Sequence, residues 1–254
     1  MVSLTFLAIP TCFDMSEEEE SRRDAREYLV KSLKRKGLIK SDIVEQAFLN
    51  IRRHDFIWEG ESKLLSYADQ PLPLGETGQT ISAPHMIAIM LEEAELAPGL
   101  KVLEVGTGSG YNAALIAYIV TLGRKLTNTQ IISIERNRSL VDFATGNLKR
   151  VDMGKFVKVI YGDGSLGYPI GSKEMLYDRI VVTAGARSLP GILEDQLKVG
   201  GIILAPIGTR YDQVLVKERK TLDKNGRYEL KKENLMPVMF VSLVIKKEAE
   251  EEHT

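Results

Sequence analysis

Hydrophobic and polar positions divide the chain into two halves. Before residue 100 the apolar residues recur at helical spacing between turn signals. From Lys101 onward, short uncharged runs alternate with amphipathic stretches. Ser16 with Glu17, Glu18 and Glu19 reads as a capping-box start and predicts a helix to about Arg35, ended by Gly37. Ser41 caps a predicted second helix with Ile43, Ala47 and Ile51 on one face. Residues 67–84 carry Pro71, Pro73, Gly75, Gly78 and Pro84 and read as an ordered irregular loop. Pro84 then suits the first turn of a helix to about Ala94.

The second half predicts strands at 102–105, 130–134, 157–161, 179–183 and 201–207, with helices at 113–120, 139–149 and 189–197 between them. Uncharged runs such as Ile180-Val181-Val182 suit strands buried on both faces. This alternation implies an α/β fold: a doubly wound, mostly parallel sheet with an N-terminal helical cap. Three further segments, 213–219, 227–235 and 238–245, read as C-terminal antiparallel strands. The expected organisation is a leader (1–15), one domain (16–245) and a charged tail (246–254). Within the domain, 16–82 would hold the helices and loop, 83–208 the ligand-binding core and 209–245 the last strands.

Composition narrows the chemistry. The 34 basic and 35 acidic residues nearly cancel, which argues against nucleic acid as the main partner. One cysteine, Cys12, excludes a disulfide scaffold and a Cys-rich zinc site. His54, His85 and His253 leave little scope for a histidine metal site, so no metal is expected. The single cysteine fits a reducing, cytoplasmic setting. No run approaches the ~18 uncharged apolar residues of a membrane span, and residues 2–9 lack the basic start of a signal peptide. Met15 is a second candidate start. If residues 1–15 are retained, 3–9 can add a strand to a sheet edge, in the same chain or in a neighbour's to form a homo-oligomer; a disordered leader is the alternative.

The candidate ligand site begins at Val102-Leu-Glu-Val-Gly-Thr-Gly-Ser-Gly-Tyr111, a strand running through glycines into a helix. Gly106 and Gly108 stand where the backbone turns and a ligand approaches too closely for a Cβ. Gly110 falls one residue early for a dinucleotide fingerprint, and Glu104 precedes the turn. Glu104-x-Gly106-x-Gly108-x-Gly110 resembles the motif of class I S-adenosylmethionine (SAM) methyltransferases. Glu104 would favour the cationic methionine end. Glu135, after the second strand, can accept from ribose hydroxyls, and Asp163 in Gly162-Asp163-Gly164 can accept from an adenine amino group. The bland alternative makes Glu135 and Asp163 exposed loop-edge charges.

The acceptor side excludes some chemistries. Cytosine C5 methylation needs a cysteine in the domain, and residues 183–186 read Thr-Ala-Gly-Ala rather than an adenine-amino motif. A site without an obvious base suits an acceptor already ionised, such as a carboxylate with pKa near ~4.

Residues 67–71 (Tyr-Ala-Asp-Gln-Pro) and 78–86 (Gly-Gln-Thr-Ile-Ser-Ala-Pro-His-Met) resemble the loop of protein-L-isoaspartate (D-aspartate) O-methyltransferases. The likeness continues through 103–110, 162–164, 177–184, 195–201 and 206–208 and covers roughly residues 21–245. It implies a Rossmann-like enzyme that moves the methyl of SAM to the free α-carboxylate of L-isoaspartyl, and of D-aspartyl, residues in damaged proteins. The ester would close to a succinimide, and hydrolysis would return some aspartate.

The likeness also implies Ser82 as the active-site residue, Gln79, Thr80, Ile81, Ser82, Gly106, Thr107, Gly108 and Gly164 beside the carboxylates as SAM contacts, and Ser82, Val241 and Ser242 beside the substrate. Ser82 alternatively reads as an N-cap of the helix after it, and both roles can hold together. His85 reads as a helix-start residue, and residues 53–58 as packing. Ile87 and Ser242 depart from the family's usual His and Pro. Two other readings stay open: a SAM methyltransferase for a small molecule or RNA, and a SAM-binding module without turnover.

Overall fold

The computed structural model describes residues 12–60, 63–122 and 130–243. The expectations for 3–9, and with them the homo-oligomer, lie outside the described residues, as does the tail 246–254.

Helix α1 (Cys12–Arg35) runs through Ser16 rather than starting there. No Gly or Pro separates Cys12 from Ser16 in the sequence, so nothing obliges the helix to stop. Gly37 ends it with φ +68°. Ser41 caps α2 (Asp42–Asn50), its hydroxyl accepting from Val44 N. The face that α2 buries is Val44, Ala47 and Phe48, with Ile51 beyond its end; Ile43 is only partly covered. Residues 67–84 contain a two-residue antiparallel ladder, β1 (Leu72–Pro73) on β2 (Thr80–Ile81), so part of the expected irregular loop is a small hairpin. Helix α3 (Pro84–Glu93) follows, with proline in its first turn as expected.

The core elements are β3 (Val102–Val105), α4 (Tyr111–Thr121), β4 (Ile131–Glu135), α5 (Arg138–Arg150), β5 (Val157–Tyr161), β6 (Tyr177–Val182), α6 (Gly191–Gln196) and β7 (Leu197–Thr209). Two long strands, β8 (Asp212–Leu222) and β9 (Tyr228–Val238), finish the sheet. The seven strands lie in the order β5-β4-β3-β6-β7-β8-β9; β3 to β7 are parallel, and β8 and β9 are antiparallel.

Of the expected strand 238–245, the described residues 238–243 do not form a separate strand, and 244–245 lie outside the described residues. β9 continues through Pro237 to Val238, which an edge strand permits because the missing N–H need not serve a ladder. The chain then leaves the edge, and Ser242 makes a single parallel bridge to Gly185.

Strand alternation sorts the core into two layers. Val102, Ile131, Val157 and Val181 face the layer of α1 to α5; Leu103, Ile132, Ile180 and Val182 face the layer of α6. Strand order reverses at β3, whose neighbours β4 and β6 lead to opposite halves of the sheet. In open α/β sheets, such a switch point opens a crevice at the carboxyl ends of the strands.

Candidate active site

A cavity of about 460 Å³ opens at that switch point, within the range of small-molecule sites. Its first wall is the turn after β3. Gly106 has φ +97°, and a Cβ there would overlap Thr183 Oγ1, which donates to Gly106 O (2.7 Å) and Val105 O (3.0 Å). Gly110 starts α4 with φ +85°, and a Cβ would press on Ala144 and Leu148 of α5 at 3.3 Å. These two positions therefore admit glycine on conformation and on space.

Glu135 ends β4 and is buried. Its carboxylate accepts from Gly108 N (3.0 Å) and Asn137 N (2.9 Å), which locks it across the glycine turn. Asp163 follows β5, and its Oδ1 accepts from Ser165 N (2.9 Å) and Ser165 Oγ (2.7 Å). Both line the cavity with Gly106, Thr107, Gly108 and Gly164. The reading of Glu135 as an exposed edge charge is thereby excluded, and Asp163 is partly covered.

Glu104 is different. It lies beneath the cavity and is not part of the wall. Ser133 Oγ donates to its Oε2, Asn112 Nδ2 donates to its Oε1 (2.8 Å), and Thr107 Oγ1 bonds Ser133 Oγ (2.6 Å). Burial pushes its carboxyl up to about 7, against the pull of the Ser133 and Asn112 bonds. The expected direct contact becomes an indirect one, through Asn112, which does line the cavity and whose buried Oδ1 has no partner. That acceptor suits an ammonium group, so the lining fits the amino-acid end of SAM.

A stability consequence follows. A folded-state pKa of about 7, above the ordinary 4.5, gives a contribution present at low pH and lost as pH rises through about 7. Thermal unfolding of the wild type and Glu104→Gln from pH 5 to 8 should diverge, with the wild type losing ground to the variant as pH rises.

The second wall is the 79–82 loop. Gln79, Thr80, Ile81 and Ser82 all line the cavity, and the Ile81–Leu72 pairing fixes their register. Ser82 is not the cap of α3; Ala83 holds that position and supplies no side-chain bond. Asp69 caps the helix from outside, its Oδ1 accepting from His85 N and meeting His85 Nδ1, both at 2.9 Å. Partial burial works to raise Asp69, but the bonds from His85 outweigh it and hold the carboxyl below its usual range. Neither residue of this pair lines the cavity, so it is a helix-start device as expected of His85. Trp58 packs on Phe143, ring centres 4.6 Å apart. Arg53 does more than pack, because it donates to Ser82 O (2.8 Å).

Val241, Ser242 and Leu243 form the third wall. Gly185 N donates to Val241 O (2.8 Å) and Leu243 N to Gly185 O (2.7 Å). Neither bond uses the N–H of Ser242, so this position accepts a residue with or without one. Buried Gln213 clamps the preceding residue: its Nε2 donates to Phe240 O (3.1 Å), and Phe240 N donates to its Oε1 (2.8 Å). Thr183, Met90, Tyr111 and Asn112 also line the cavity beyond the residues read from sequence, and Ile87 stands there too. Among the described residues, no cluster of His, Cys, Asp or Glu suits a metal ion.

A model of the protein-L-isoaspartate(D-aspartate) O-methyltransferase family matches residues 24–248. The chain belongs to this family. Among relatives in the protein-L-isoaspartate O-methyltransferase family, that of Methanopyrus kandleri is 48% identical over 209 residues, covering 82% of this chain and 88% of its own. That of Hyperthermus butylicus is 47% identical over 231 residues, covering 90% and 92%. A solved protein-L-isoaspartate O-methyltransferase family structure from Plasmodium falciparum, in complex with S-adenosyl-L-homocysteine (SAH), superposes with a TM-score of 0.70 at 34% identity, covering 86% of this chain and 98% of that one.

Proposed function

We infer that this chain is a SAM-dependent carboxyl methyltransferase of protein repair, acting on L-isoaspartyl, and D-aspartyl, residues of damaged proteins. The observation that carries the reading is one shared cavity: the Gly-rich turn, Glu135 and Asp163 face the 79–82 loop and residues 241–242 across it. Membership of the isoaspartyl family supplies the substrate class.

When bound, SAM supplies an electrophilic methyl on a sulfonium. Glu135, fixed by Gly108 N and Asn137 N, is assigned to the ribose hydroxyls, and Asp163, fixed by Ser165, to the adenine amino group. Gln79, Thr80 and Ile81, which line the cavity, would cover the cofactor. The acceptor carboxylate is ionised at neutral pH, so the residues around it need no base. Their work is alignment and exclusion of water. Ser82 is assigned to donate its hydroxyl to that carboxylate, and Val241 and Ser242 to hold the peptide beside it. The methyl donated by SAM would join that carboxylate oxygen and leave a neutral thioether and a neutral ester, so charge would balance. The backbone nitrogen of the following residue then attacks the ester carbonyl carbon, and methoxide leaves with the nitrogen's proton as methanol, which gives the succinimide.

The single cysteine supports a cytoplasmic setting, and no described helix is long and apolar enough to cross a membrane. The test uses labelled SAM with a peptide carrying isoaspartate and its aspartyl twin. Base-labile methyl on the first alone is the expected result; equal labelling of both, or of neither, overturns the reading.

A further inference from the structure

Arg53 opens a short 3-10 turn (Arg53–Asp55) and is 0% exposed. Its guanidinium donates to two carbonyls of one loop, Gln70 O (3.2 Å) at the entry and Ser82 O (2.8 Å) at the exit. On its other side, Cζ lies 5.5 Å from the ring centre of Tyr111, the cavity-lining residue that opens α4 behind the glycine turn. One side chain therefore ties the loop to the first turn of α4, which lines the same cavity. Among the described residues, no carboxylate forms an ion pair with it. Burial draws its pKa down to about 10, and it remains a cation at neutral pH.

A buried cation held by carbonyls is a costly way to fill space, and an apolar side chain of similar size would do so at less cost. Two carbonyls far apart along the chain need a planar fork of donors, which lysine lacks. The residue gripped most closely is the one assigned to meet the acceptor.

We propose that Arg53 is a positioning residue of the methyl transfer: it fixes the backbone of Ser82, and through it the Ser82 hydroxyl, so that the acceptor carboxylate meets the methyl in line. The proposal rests on the isoaspartyl reading for its substrate, but the brace itself can be measured without turnover.

The experiment compares full-length wild type, Arg53→Lys and Arg53→Gln. Turnover of an isoaspartyl peptide, SAH affinity and amide hydrogen exchange with SAH bound are measured for each. Displacing a reacting group by a fraction of an ångström costs about tenfold or more in kcat. That loss is expected in both variants, with lysine recovering part of what glutamine loses. SAH affinity should stay near wild type, and faster exchange should be confined to the loop that Arg53 holds at both ends, residues 70–84, sparing 104–110. A parallel loss of SAH affinity and turnover with faster exchange throughout would show a general structural role and overturn the proposal. Wild-type kinetics and exchange in Arg53→Gln would also overturn it. If Arg53→Gln does not fold, Arg53→Lys carries the same comparison. If the wild type leaves the isoaspartyl peptide unmodified, the substrate reading fails separately. The exchange pattern then decides the brace alone: acceleration confined to 70–84 supports it, and any other pattern overturns it.

Discussion

Gly106→Ala should abolish methyl transfer and weaken SAH binding by about two orders of magnitude. A residue other than glycine at φ +97° stores roughly 1–3 kcal/mol of backbone strain. The new Cβ would also overlap Thr183 Oγ1, which is held in place by the carbonyls of Val105 and Gly106. Relief requires the turn to move away from β6, and that movement displaces Gly108 N from Glu135. The combined cost of about 3 kcal/mol corresponds to the expected hundredfold loss. Removing the obstructing hydroxyl should restore part of it, so Gly106→Ala with Thr183→Ala should bind SAH more tightly than Gly106→Ala alone. Calorimetric titration with SAH checks both. Equal affinities for the single and double variants would show that the overlap is not the cause.

Glu135→Ala should match that loss by a different route. The carboxylate is buried and anchors Gly108 N and Asn137 N, so its removal leaves two backbone donors without their acceptor. Bonds to a charged group are worth about 1.5–3 kcal/mol each. Loss of the ribose acceptor comes in addition. SAH affinity should fall by about a hundredfold or more, while Glu135→Gln, which keeps one acceptor oxygen, should fall less. Fluorescence or calorimetric titration gives the order directly: wild type, then Gln, then Ala. A Glu135→Ala protein that binds SAH as the wild type does would remove Glu135 from the cofactor site.

Much of this site is legible in the sequence because it is local. The strand–turn–helix at 102–111 declares itself through glycine spacing, and Glu135 and Asp163 through their places at strand ends. The loop with Ser82 is recognisable as a continuous motif. Other features depend on chain segments far apart. Nothing around Arg53 in the sequence reveals that its guanidinium reaches Gln70 and Ser82, since the fold alone brings them together. Gln213 reads as one polar position in an alternating strand, yet it clamps Phe240 at the sheet edge.

Glu104 shows the opposite error. Its position in the motif suggests direct contact with a ligand, but the period of the strand turns the side chain under the turn, toward Ser133 and Asn112. The expected division between 235 and 238 is not found, because β9 runs on through Pro237 to Val238, which an edge strand tolerates. Ser82 resembles a helix cap by spacing alone, but the capping acceptor comes from Asp69, across the loop. Capping by a residue distant in sequence leaves no local signature.

Time-resolved mass spectrometry of a single isoaspartyl peptide with SAM tests the central claim most directly. The peptide should gain one methyl, then lose methanol to give a succinimide, then take up water, with part of the product eluting as the normal aspartyl peptide. A methyl group that stays on the peptide through mild base, with no succinimide and no aspartyl product, would contradict carboxyl methylation and the repair function with it.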